Sequence, residues 1–203
     1  MTPADATDTK ERILDAVEDL VGEYGCDGAS VRMITEAAGV NIAAVNYHFG
    51  SKEDVLVAAA ERIATSINGE RLAMLREAEE RHAPETPPVA ELTRALIEPA
   101  FRALSHAGDR AGPRARFGAR ICTAPSETLQ ERAHLCFRES SDLIWDGVCR
   151  ARPDVSEDEM TVRYRAAITV MLSAIADVRN ADVFETAQGW CALLDHLVTF
   201  VSA

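Results

Sequence analysis

Between Ser30 and Lys52 the chain reads SVRMITEAAGVNIAAVNYHFGSK, and this stretch restricts the fold more than any other. Ser30 can cap a helix over residues 31–38, because its hydroxyl accepts a first-turn amide. Gly39 closes that helix as a left-handed cap. Asn41 can cap a third helix over residues 42–49, and Gly50 breaks it. Ser51 then opens a fourth helix, with Asp54 at the capping-box position. Two short helices joined by a tight glycine turn form a helix-turn-helix. In that motif the second helix enters the DNA major groove.

The flanking sequence is helical too. Ile13, Leu14, Val17, Leu20, Val21 and Tyr24 keep the spacing of one buried helix face. The predicted first helix runs over residues 9–24, with Asp8 and Glu11 as a capping box and Gly25 as its end. The fourth helix is expected to reach residue 81. HAPETPPVA is a break, and a helix over 89–104 follows. SHAGDRAGP is a second break, and PRARFGARICT comes after it with Arg114, Arg116 and Arg120 close together. One long helix is expected from residue 126 to 150, another from 156 to 179, and a last one over 184–201. With 47% hydrophobic residues, abundant alanine, leucine and glutamate, and short β-branched runs, the chain reads as all-α.

The formal net charge of −12 argues against a polybasic nucleic-acid or membrane binder. Residues 1–60 carry four basic and eleven acidic side chains, most of the acid on the first helix. Residues 28–52 hold Arg32 and Lys52 against Glu36 alone. Any grip on DNA would therefore come from helix N-termini and neutral donors. Five cysteines without a C-x-x-C pair fit reduced thiols rather than a disulfide framework or a zinc site. The first ten residues lack a signal-peptide pattern, and no apolar run approaches a membrane span. A cytoplasmic protein with no membrane partner, no metal and no cofactor is expected.

The segments TKERILDAVEDLVGEYG, SVRMITEAAGV and VNYHFGSKEDVL together resemble the DNA-binding domain of TetR-family transcriptional regulators. The resemblance covers about residues 10–56. It implies an all-α homodimer, with a three-helix helix-turn-helix domain over residues 1–55. A helical ligand-binding and dimerisation domain would occupy residues 56–203. It also implies a double-stranded operator, a small-molecule effector, and repression that the effector relieves.

The chemistry of the third helix fits that expectation. The Tyr47 hydroxyl and the His48 ring N–H suit phosphate oxygens, and Lys52 sits at the start of the fourth helix, where free amides favour an anion. Asn41, Ala43, Ala44 and Asn46 form the face that would meet bases. Ser30 and Arg32, at the start of the second helix, complete the DNA-binding candidates. Phe49 is expected to plug the small core, and partial burial is the alternative role for Tyr47.

Tyr164, Ile168, Met171 and Ile175 recur at helical spacing, as do Trp190, Leu194, Leu197 and Val201. Each stripe could pack within its own domain. Two consecutive stripes at the C-terminal end suit a four-helix dimer interface. For a ligand pocket the candidates are Phe101, Phe137, Ser141, Trp145 and Met171, with His106 and Arg120 as polar anchors. Each apolar one can equally be plain core. RARFGARI and RARPDVSEDEM resemble a branch of the family that responds to fatty acids or acyl-thioesters. That suggests an elongated apolar effector with its anionic end near an arginine.

No enzyme is expected, because the five histidines are scattered and no nucleophile or phosphate-loop motif occurs. The rival reading is a helical ligand-binding or scaffolding protein that no longer binds DNA, which the acidic first helix would favour.

Overall fold

A computed structural model describes residues 3–105, 110–176 and 187–202, and every regular element among them is a helix. The chain divides into two compact units, one of residues 1–64 and 107–136, the other of residues 65–106 and 137–203. No helix among the described residues is long and apolar enough to cross a membrane.

Unit 1 is built from α1 (Pro3–Gly28), α2 (Val31–Ala38), α3 (Ile42–His48), the first turns of α4 (Lys52–His82), α6 (Ala111–Cys122) and α7 (Glu127–Leu135). The caps of its short helices form as the sequence dictates. Ser30 Oγ accepts the Met33 amide at 3.2 Å and Asn41 Oδ1 accepts the Ala44 amide at 2.9 Å. Gly39 closes α2 at φ 62, a conformation only glycine adopts without strain. Ser51 and Asp54 bond each other's amides at 3.2 and 3.1 Å, a complete capping box.

The first helix departs from expectation at both ends. It already runs at Asp8, so no capping box forms there, and the Asp8 carboxylate meets Arg12 Nε at 3.3 Å. Gly25 breaks the helix at φ 81, but one further turn continues to Gly28. Tyr24, next to that break, is exposed rather than buried. Ile13, Val17 and Val21 are fully buried with Ile34, Val45, Val55 and Phe117, which makes α6 part of this core. Phe49 packs at its edge, partly buried, beneath Lys10 Nζ at 5.8 Å from the ring centroid.

Unit 2 contains the rest of α4, α5 (Val89–Ser105), α8 (Arg138–Ala151), α9 (Glu157–Ala176) and α10 (Ala187–Ser202). The single helix expected over 126–150 is two, α7 and α8, because the helix ends at Leu135 and a new one starts at Arg138. The join is where the chain passes from one unit to the other. Leu92, Leu96, Ile97, Ile144, Val148 and Met160 fill the core. Pro99 removes one amide from the ladder of α5. The buried Arg71 on α4 donates Nε–H to the neighbouring carbonyl of Leu96 at 2.9 Å.

The two C-terminal stripes need correcting. Tyr164, Met171, Leu194, Leu197 and Val201 are buried within unit 2, so they form its core and do not offer a free face to a partner. Ile168 and Ile175 are half-buried. The side chain of Trp190 lies outside the described residues. Among the described residues, the large apolar side chains that α9 and α10 expose are Val162, Val170 and Phe200.

Candidate nucleic-acid interface

The turn at Gly39 leaves one side of α3 open. Asn41, Ile42, Ala43, Asn46 and Tyr47 are exposed, Ala44 and His48 are half-buried, and only Val45 points into the core. Tyr47 is 78% exposed, with its ring edge-on to His48 at 5.1 Å. A phenol held open on a seven-residue helix meets nothing that buries it within unit 1.

The other candidates divide by what already holds them. Arg32 is exposed on α2. Ser30 and Asn41 use their side-chain oxygens as helix caps, which orients both groups. Lys52 extends Nζ towards the Asp27 carbonyl, 3.4 Å away at the end of α1. Its partner in position, Asp54, is bound by the Ser51 hydroxyl and by Arg132 from α7. Together they hold its carboxyl below the usual carboxylate range.

Two cations escaped the reading of the sequence. Lys10 lies over Phe49, and Arg12 Nη1 comes within 3.7 Å of where a Cβ on Gly39 would stand. Both therefore flank the helix-turn-helix from α1. The signal available was their position: they are the two basic residues on an otherwise acidic helix.

The acid of α1 is answered inside unit 1. Arg62 on α4 pairs with Glu11, Asp15 and Glu18 at 2.7, 2.9 and 2.5 Å. Arg110, just before α6, reaches Asp15, Glu18 and Asp19 at 3.2–3.3 Å, and Arg114 reaches Glu18 at 3.1 Å. Arg116 and Arg120 donate to the carbonyls of Gly22 and Val21, each at 3.0 Å. Arg120 thus belongs to unit 1 and is engaged with α1, which corrects its expected role as a ligand anchor.

Of the other pocket candidates, Phe101 and Met171 are buried in the core of unit 2, and His106 lies outside the described residues. Phe137, Ser141 and Trp145 share one side of α8. Phe137 lies under the Arg71 guanidinium, 5.5 Å from ring centroid to carbon. The Ser141 carbonyl accepts the Tyr164 O–H at 3.4 Å, and Trp145 packs edge-on to Tyr164 at 5.1 Å. Trp145 also lines an open groove with Cys149, Val155 and Met160, rimmed by Asp146, Arg150, Arg152 and Glu157. Burial pushes the thiols of Cys26, Cys136 and Cys149 up, away from the reactive thiolate form.

A helix-turn-helix with an open second helix, braced by later helices and joined to a second all-helical unit, defines a class of two-unit helix-turn-helix proteins. The chain belongs to the TetR family. Residues 13–59 match the tetR family of bacterial regulatory proteins, and residues 94–203 match the tetracyclin repressor-like C-terminal domain. The chain is 41% identical over 88 residues to the HTH-type transcriptional dual regulator CecR of Shigella flexneri. That match takes in 43% of this chain and 39% of CecR. It is 40% identical over 76 residues to the regulatory protein RaaS of Mycobacterium tuberculosis, 37% of this chain and 35% of RaaS. The matches therefore span well under half of either relative.

Two solved structures share the fold. The fatty acid degradation regulator FadR of Bacillus halodurans aligns with a TM-score of 0.67 at 16% identity, covering 95% of this chain and 97% of that one. The regulator PfmR of Thermus thermophilus aligns with a TM-score of 0.64 at 17% identity, covering 94% and 97%.

Proposed function

We propose that this protein is an effector-responsive, DNA-binding transcriptional regulator that acts as a homodimer on a palindromic operator. Family membership supports the class, and the observation that carries the mechanism is the open face of α3. Asn41, Ala43, Ala44 and Asn46 meet base edges there. Tyr47, His48 and Lys52 hold phosphates, joined by Ser30, Arg32, Lys10 and Arg12. Residues 1–55 do the reading, with α6 and α7 built into the same unit as a brace. Residues 56–203 bind the effector and a second subunit, the exposed Val162, Val170 and Phe200 of α9 and α10 lying at the subunit contact. A two-fold pair presents two copies of a short recognition helix, as a palindrome requires.

The effector is a small, largely apolar molecule that releases the DNA. The likeness to FadR in fold and the sequence of α6 favour an acyl compound. The rival reading, a scaffold that has lost DNA binding, draws on the acid of α1. The ion pairs of Arg62, Arg110 and Arg114 weaken that argument, because they neutralise much of this acid within unit 1. Selection of bound genomic fragments by the purified protein, repeated with long-chain acyl compounds, tests the reading. Enrichment of a palindrome that acyl compounds abolish is expected. No enrichment at all would leave the rival standing.

A further inference from the structure

Arg132 reaches the helix-turn-helix without belonging to it. Leu129 and Ala133 anchor α7 in the core of unit 1. Gln130 Nε2 donates to the Cys122 carbonyl of α6 at 3.0 Å, a second tie. Arg132 therefore projects from a firm base. Its Nη2 donates to Asp54 Oδ1 at 2.8 Å, from a helix 78 positions further along the chain.

Asp54 divides its two oxygens between two partners. Oδ2 accepts the Ser51 hydroxyl at 2.6 Å and the Ser51 amide at 3.1 Å, which starts α4. The same oxygen lies 3.4 Å from where a Cβ on Gly50 would stand, and Gly50 is left-handed at φ 95. The carboxylate is thus set against the turn between α3 and α4. Oδ1 goes to Arg132, so both oxygens are held and the group has one orientation.

This carboxylate stands two residues from Lys52, the cation assigned above to a phosphate. The first turn of α4 also carries Glu53, which is exposed, whereas Asp54 turns its charge onto the helix N-terminus. The Ser51 hydroxyl, and then Arg132, hold the Asp54 carboxyl below its ordinary range, so the charge persists at neutral pH. An uncompensated carboxylate here would oppose a DNA phosphate. The Arg132 and Asp54 side chains are 37% and 40% exposed, so their pair adds only modestly to folding stability. It does cancel the charge that a polyanion would meet.

We infer that Arg132 is a positioning residue for the DNA grip: it neutralises Asp54 and holds it on the Ser51 turn, so that Lys52 can meet a phosphate. Arg132 acts through Asp54 and does not itself pair with DNA. This rests on the DNA-binding reading above.

Operator affinity is measured by fluorescence anisotropy on a labelled duplex carrying a genomic fragment that the protein itself selects. Arg132→Ala is expected to weaken binding about tenfold, or about threefold for each subunit of a pair. Arg132→Lys, which keeps the charge, is expected to stay within about threefold of wild type. Asp54→Asn keeps a capping oxygen but not the charge. Added to Arg132→Ala, it is expected to restore affinity to within about threefold of wild type. A merely structural ion pair would show no such recovery, because the pair is absent in both variants. Unchanged affinity in Arg132→Ala overturns the inference and leaves the DNA-binding reading intact. So does a double variant as weak as Arg132→Ala, which would mean that Arg132 touches DNA or only supports the fold. A wild type that selects no fragment sinks the DNA-binding reading and this inference with it. Should Arg132→Ala fail to fold, Arg132→Gln, which keeps most of the length without the charge, carries the same comparison.

Discussion

The Glu18 carboxylate, with no exposed surface, accepts the Nε–H of Arg114 at 3.1 Å, across 96 positions of the chain. The same carboxylate is held by Arg62 and Arg110. One buried acid therefore ties α4 and α6 to α1, and it does so within the unit that carries the helix-turn-helix. Removing one partner of a buried ion pair strands the others. Glu18→Gln, which keeps the volume but not the charge, is expected to cost on the order of 3 kcal/mol of stability. Urea unfolding checks this, and a loss under about 0.5 kcal/mol, as for a surface change, would deny the cluster its structural role.

A second tie between α1 and α6 is steric. A Cβ on Gly22 would stand 2.8 Å from the Pro113 carbonyl oxygen, and backbone cannot swing aside as a side chain does. Alanine in mid-helix normally gains about 1 kcal/mol over glycine. Overpacking costs about 1–3 kcal/mol. The clash wins, so Gly22→Ala is expected to lower the melting temperature. A rise would mean that α6 can retreat freely from α1.

The start of α4 has a pH signature. The Ser51 hydroxyl, and then the Arg132 guanidinium, hold the Asp54 carboxyl below its ordinary 3.8. A depressed acid stabilises the fold above its unfolded-state value and loses that contribution as pH falls through the folded-state value. Asp54→Asn should therefore melt lower than wild type at pH 7, and the two curves should converge in acid. Melting temperatures from pH 7 to pH 2 give the comparison. A gap that stays constant down to pH 2 would contradict the assignment.

What could be read in the sequence was local. The caps at Ser30, Asn41 and Ser51 involve partners three residues away, so residue type and spacing announce them. The break between Leu135 and Arg138 carries no glycine or proline, so no residue type announces it. Periodicity showed that Tyr164, Met171, Leu194 and Leu197 share buried faces, but a period does not say what covers a face. Their cover turned out to be their own unit. The arginines of α6 were visible as a cluster, yet their partners lie more than ninety positions away on α1. Spacing alone therefore does not reveal that Arg120 donates to the Val21 carbonyl.

Neutral donors and a few cations should leave a mark on salt dependence. Of the four cations assigned to phosphates, Lys10 lies over the Phe49 ring and Arg12 is paired with Asp8, so Arg32 and Lys52 are the principal phosphate-pairing cations of each subunit and a dimer releases few counterions. The slope of log K against log salt is then about −4. Fluorescence anisotropy on a selected fragment from about 50 to 200 mM salt measures it. A slope near −10 would point to a basic surface that this account does not contain.

The open face of α3 is the centre of the account, and one comparison addresses it directly. Operator affinity is measured by anisotropy for the wild type and for the double variant Tyr47→Phe, Lys52→Ala, with the mass of each followed by sedimentation. The double variant is expected to bind at least about tenfold more weakly, about 1.4 kcal/mol, at unchanged mass. Undiminished affinity in the double variant would contradict the assignment of α3 and the start of α4 as the DNA grip.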